Sequence, residues 1–285
     1  MIEDILYPLV PVRFREDSSY REGHLRVINP LPGIRVMGLH IPDMKKVAKS
    51  LVSSGEAFSL LDAFEKADSN DLCYEEKVVW GLMIDYLKCS LEERLERISA
   101  FVPVIDNWAV CDCICGAAKW ASASSLKHSF REYVQKFLDS YWTSDSEFDV
   151  RFAVIMSMSY YLDETFLTEL FGKIEAIDFG KVKSLYMPPA AHAVPSASVI
   201  PLSLPGDDSG SIVCYGISGG RAGTSLGQPP YYVRMGVAWF MATALAKYPD
   251  LTRRFAGGCS LPDDVLKLYK RKSRESFRTR DISPL

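Results

Sequence analysis

Long apolar runs are missing from this chain. None approaches the ~20 residues that span a bilayer, and Met1-Ile2-Glu3-Asp4 is acidic where a secretory leader would be basic. The expectation is a cytoplasmic protein without a membrane segment. Histidine is scarce: the four residues His24, His40, His128 and His192 are scattered, with no His-Glu-x-x-His or Cys-x-x-Cys spacing to recruit them. The seven cysteines are odd in number and irregular in spacing, which excludes a disulfide framework. Cys111-x-Cys113-x-Cys115 would alternate faces on a helix, so the three thiols cannot close on one zinc. They read as small buried residues, and neither a metal site nor a cofactor is assigned.

Net charge is also small, at −3. It is unevenly spread. The last 35 residues carry nine Lys/Arg and four Asp/Glu, whereas residues 1–250 carry a net −8. A dedicated nucleic-acid domain is usually more basic overall. The basic tail (Lys267, Lys270, Arg271, Lys272, Arg274, Arg278, Arg280) fits either a solvated helix face or a phosphate-contact strip, and charge alone favours the first.

Helical rhythm is plentiful. From residue 43 onward one amphipathic segment follows another, the first with Met44, Val47, Ala48 and Leu51 on one face. Further helices are predicted at about 56–67, 74–89, 91–102, 106–121, 126–141, 146–162, 164–177, 231–247 and 263–277. Ser90, Ser144 or Asp145, and Asp163 stand as caps. Short antiparallel helices repeating every ~30–40 residues predict an all-α chain, an α-solenoid of HEAT-like repeats forming a single domain over 1–285.

One interruption, at about 181–230, is rich in Gly, Pro and Ser and holds only five charged residues. It reads as an insertion carrying a β-hairpin, with Val199–Leu204 and Ser211–Tyr215 flanking the turn-rich 205–210. Pro201 would confine its strand to an edge. The glycine-rich 216–223 lacks the strand-before, helix-after setting of a phosphate loop and reads as a linker.

Trp108 and Asp112 are four apart, hence one turn apart on one helix face. An indole beside a carboxylate suits a cation or a cationic transition state, and equally a core Trp with a rim Asp. Arg151 opens an otherwise apolar helix and Trp239 lies on another. Alone, the first would be a surface ion-pair partner and the second a packing residue.

Five stretches taken together resemble the AlkD-like DNA alkylation repair family of HEAT-like-repeat DNA glycosylases: Val36–Lys46, Asp106–Asp112, Phe148–Met156, Tyr231–Trp239 and Lys272–Arg278. The resemblance implies that Asp112 is the catalytic carboxylate, that Trp108 and Trp239 are catalytic aromatics, and that Arg151 holds a DNA phosphate. Tyr20 matches a DNA-facing tyrosine more loosely. Asn107 departs from the bulky residue usual before Trp108, and the 181–230 insertion has no counterpart in the usual family chain. The implied activity is hydrolysis of the N-glycosidic bond of cationic alkylpurines (3-methyladenine, 7-methylguanine type) in duplex DNA by a monomer. The alternative is a non-catalytic module of the same scaffold that binds DNA of unusual structure or a protein partner. A thiol or metal protein built on the Cys111 cluster is a distant third.

Overall fold

The computed structural model describes residues 1–184, 197–202, 212–217 and 229–285. The described residues form an all-α protein with one small hairpin. In chain order the helices are α1 (Glu3–Leu6), α2 (Val12–Glu16), α3 (Ser18–Ile28), α4 (Ile41–Ser54), α5 (Ala57–Phe64), α6 (Tyr74–Tyr86) and α7 (Leu91–Phe101). Then come α8 (Trp108–Ala117), α9 (His128–Trp142), α10 (Glu147–Tyr160) and α11 (Leu167–Glu175). Strands β1 (Ala197–Leu202) and β2 (Ile212–Ile217) precede α12 (Tyr231–Lys247), α13 (Pro249–Gly258) and α14 (Asp263–Glu275). No helix among the described residues is long and apolar enough to cross a membrane.

The chain forms two compact units, Met1–Ala117 with Met187–Gly223, and Ala118–Tyr186 with Thr224–Leu285. In the first, α6 packs against both α4 and α8 while α5 and α7 flank it. In the second, α12 packs against both α10 and α14, with α9 beside α10 and α13 beside α12. Contact between alternate helices is the solenoid pattern that the helical rhythm predicts. The two central helices show its cost in sequence terms. Tyr74 through Asp85 is buried without a break, and so is nearly all of Glu147–Met158. Flanking helices keep one apolar stripe: α4 buries Met44, Val47, Ala48 and Leu51, the four the sequence pattern selects. Each such side chain contributes about 1.5–3 kcal/mol by leaving water.

Aromatic packing fixes the layers. Trp80 of α6 stacks on Phe64 at 5.4 Å and meets Phe101 edge-on at 5.2 Å. In the second unit Phe171 of α11 stacks on Phe255 of α13 at 4.3 Å. Of the expected caps, Ser90 accepts from the Glu93 amide at 3.1 Å. Before α10 the cap position is Ser146, with Ser144 Oγ accepting from its amide at 3.1 Å. Asp163 closes a turn, its Oδ1 accepting from Thr165 N at 3.1 Å, and α11 starts only at Leu167.

The expected hairpin is present in its described part. β1 and β2 pair antiparallel, with Ala197 opposite Ile217 and Leu202 opposite Ile212; the turn at 205–210 and most of 216–223 lie outside the described residues. The other side of β2 is occupied by Val36, whose amide and carbonyl exchange bonds with Tyr215 at 2.7 and 2.9 Å. β1 is therefore an outer strand, the place a strand proline such as Pro201 tolerates.

Candidate DNA-processing site

The start of α8 carries the first candidate pair, and three neighbours hold it in place. Lys77, 2% exposed on α6, donates to Asp106 Oδ2 at 2.5 Å. Asn107 is buried; its Oδ1 accepts from Ala109 N at 2.7 Å, capping α8, and its Nδ2 donates to Ile28 O at 2.8 Å. Trp108 Nε1 donates to Val27 O at 3.2 Å. The last carbonyls of α3, which no intrahelical amide can reach, are thus taken up by side chains at the start of α8. Asn107, a departure from the family pattern in the sequence, joins the two helices together with Trp108.

Trp108 and Asp112 line one cavity of about 490 Å³ in the first unit, together with His24, His40, Lys45 and Tyr74. Its walls come from α3, α4, α6 and α8, and the wall is mostly apolar. Cys111 and Cys115 are buried, whereas Cys113 turns to the cavity side. Burial pushes the Cys113 thiol up to about 11 against the opposing charge of Lys45, with smaller additions from Asp85 and Asp112. It is a neutral thiol at neutral pH. Among the described residues no three His, Cys, Asp or Glu side chains are grouped to hold a metal.

Tyr20 reaches the cavity wall indirectly. Its hydroxyl lies 2.7 Å from His40 Nε2, and the Arg13 guanidinium sits over its ring at 4.7 Å. Behind His40, the His24 ring is held edge-on by Phe14 at 5.2 Å. Burial, with a smaller contribution from His40, lowers His24 to about 4, so His24 is a neutral imidazole near pH 7. The loop leading to His40 is shaped by Glu75 of α6. Its buried carboxylate accepts from the amides of Met37, Gly38 and Leu39 at 3.0, 2.7 and 3.3 Å. Burial still raises this carboxyl to about 7 against those three bonds. Gly38 has φ +93°, and a Cβ there would fall 2.2 Å from the Phe14 ring, so the loop requires glycine on both counts.

Arg151 and Trp239 belong to the second unit. Arg151 is 4% exposed, and its Nη1 donates to Tyr232 O at 2.6 Å, which anchors the first turn of α12. Glu147, one turn earlier on α10, accepts from Tyr232 N and Ser184 Oγ, both at 2.6 Å. Burial raises the Glu147 carboxyl above its ordinary value. Two turns further along α12 stands Trp239, 41% exposed and lining a second cavity of about 510 Å³ with Lys247, Lys272, Phe277 and Arg278. Sequence reasoning missed Glu75, Glu147, His24 and Asn107. Their partners are mostly backbone groups and rings, and for Glu147 also the distant Ser184 hydroxyl, which leave no spacing signature.

The fold and these two cavities define a helical-repeat protein with an indole–carboxylate pair in one unit and an indole–cation cluster in the other. The chain matches the family of DNA alkylation repair enzymes over residues 21–177, more than half its length, and belongs to that family. The match includes Trp108, Asp112 and Arg151 and stops short of Trp239 and the basic tail. Comparison with curated proteins and with solved structures gives no match. Membership of a family described as DNA alkylation repair enzymes supports DNA alkylation repair as the function and DNA as the substrate.

Proposed function

We propose that the protein is a glycosylase that removes cationic alkylated purines from duplex DNA. One observation carries this reading: a carboxylate, Asp112, and an indole, Trp108, line a single cavity on a helix end held by three hydrogen bonds to α3 and α6. Alkylation at N3 of adenine or N7 of guanine places positive charge on the base and weakens its bond to C1′. The base then departs with the bonding pair as a neutral molecule and needs little acid assistance. The protein's task is to stabilise an oxocarbenium-like sugar and admit water.

In this reading Asp112 does both. Its negative charge faces the developing cation, and it takes the proton of the water whose oxygen bonds to C1′. Trp108 packs on the sugar, adding dispersion and the attraction of its ring face for positive charge. Trp239 is assigned the second sugar contact and Tyr20 a backbone contact. Arg151 is assigned a phosphate; in the conformation seen it is buried and donates to Tyr232 O, which fixes α12. The active form is taken to be a monomer. Release of 3-methyladenine and 7-methylguanine from methylated duplex DNA tests the function. Release well above spontaneous depurination supports it. Release at the spontaneous rate leaves the non-catalytic DNA-binding module.

A further inference from the structure

Phe277 is 75% exposed, more than any other large apolar side chain among the described residues. Its exposure is not that of a loose segment. Ser273 and Thr279 on either side of it are buried, and Thr279 Oγ1 donates to Ser273 O at 2.7 Å. Further along, Tyr269 OH donates to Pro284 O at 3.0 Å. The turn is therefore fixed, and it presents a phenyl ring to water, where the ring gains nothing from burial.

The surroundings say what would cover it. Phe277 lines the 510 Å³ cavity with Trp239, Lys247, Lys272 and Arg278, and the Arg278 guanidinium stands 5.6 Å from its ring. Glu275 is the one acidic side chain in that lining, and it is already paired with Lys272 at 2.8 Å. Exposed Arg274 and Arg280 continue the positive surface on the same segment. Fixed rings among cations match a ligand that is both flat and anionic. The cavity volume falls within the range of about 300–1,000 Å³ usual for small-molecule sites. An unpaired nucleotide in a DNA strand has both properties, whereas a paired one offers only its phosphate.

The geometry points to Phe277 as a stacking platform for an unpaired base, with Lys272 and Arg278 holding the strand's phosphates. This rests on the DNA reading but not on catalysis. The probe is a short duplex in which 2-aminopurine lies opposite a tetrahydrofuran abasic site. Full-length wild type is expected to bind it and to quench the 2-aminopurine fluorescence. Phe277→Ala should bind roughly tenfold to a hundredfold more weakly, without the quenching and with an unchanged salt slope. Phe277→Trp should restore both affinity and quenching. The exposed ring makes the fold insensitive to either change. Equal affinity and equal quenching in Phe277→Ala overturn the stacking role alone. Failure of wild type to bind this duplex overturns the DNA reading and the stacking role with it.

Discussion

The first unit pins its central helix through Glu75, and the second through Glu147, yet the two carboxylates end in front of different chemistry. Both sit in the first turn of a helix buried nearly all round, and both accept backbone amides from a distant segment. Glu75 shapes the loop that delivers His40 to the cavity of Trp108 and Asp112. Glu147, with Arg151, sets the first turn of the helix bearing Trp239. In the first unit the cavity beside the indole holds a carboxylate and one lysine, Lys45, in a mostly apolar wall. In the second it holds cations and a second exposed ring. In the proposed reading, the same way of fixing a helix serves a site for chemistry in one unit and a site for grip in the other.

If the two carboxylates do the same work, their removal should cost stability in proportion to the amides they leave behind. Glu75→Ala orphans three buried amides and is expected to lose about 3 kcal/mol, at about 1 kcal/mol per bond. Glu147→Ala is expected to lose about 2 kcal/mol. Urea midpoints at constant m-value measure both. A larger loss in Glu147→Ala would break the parallel.

Within the first unit, two buried groups give opposite pH dependences. His24 has a folded value of about 4, below its unfolded value of 6.5. As pH falls through 6.5 the unfolded chain takes up this proton first, so stability drops from there down to about 4. Glu75 acts in the opposite sense. Its folded value of about 7 exceeds the unfolded 4.5, so its contribution grows as pH falls across that window. His24→Gln should therefore lose less stability than wild type between pH 7 and pH 4.5, and thermal melts at matched ionic strength will show it. Parallel melting curves would mean that His24 is not held neutral. The smallest effect is expected in the second unit. Lys272→Ala should lower DNA affinity a few-fold and reduce the salt slope by about one, read from a binding titration in increasing salt.

Much of this fold was legible because apolar residues recur with helical period. The stripe Met44, Val47, Ala48, Leu51 identifies α4 without ambiguity, and the alternation around Val199 and Tyr215 finds the β1–β2 pair. Helix α13 escaped because it buries only Thr252 and Ala256, too little for a pattern to register. Helices α1 to α3 also escaped: α3 is polar, α1 and α2 are only four and five residues long, and Pro11 stands at the start of α2. The spacing of Trp108 and Asp112 told that they share a helix face. It could not tell that Asn107 would tie that face to α3, because a bond to Ile28 O spans 79 residues. The arginine of α10 was visible by its type, but its burial against Tyr232 depends on where α12 lies, and no local pattern encodes that.

The central claim is that Asp112 performs the chemistry while the second unit supplies grip, and one variant separates the two. Release of 7-methylguanine and equilibrium binding to abasic duplex DNA should be measured on Asp112→Asn beside wild type. Release is expected to fall at least about 100-fold while the dissociation constant stays within a few-fold. Release at the wild-type rate in Asp112→Asn would contradict the assignment outright.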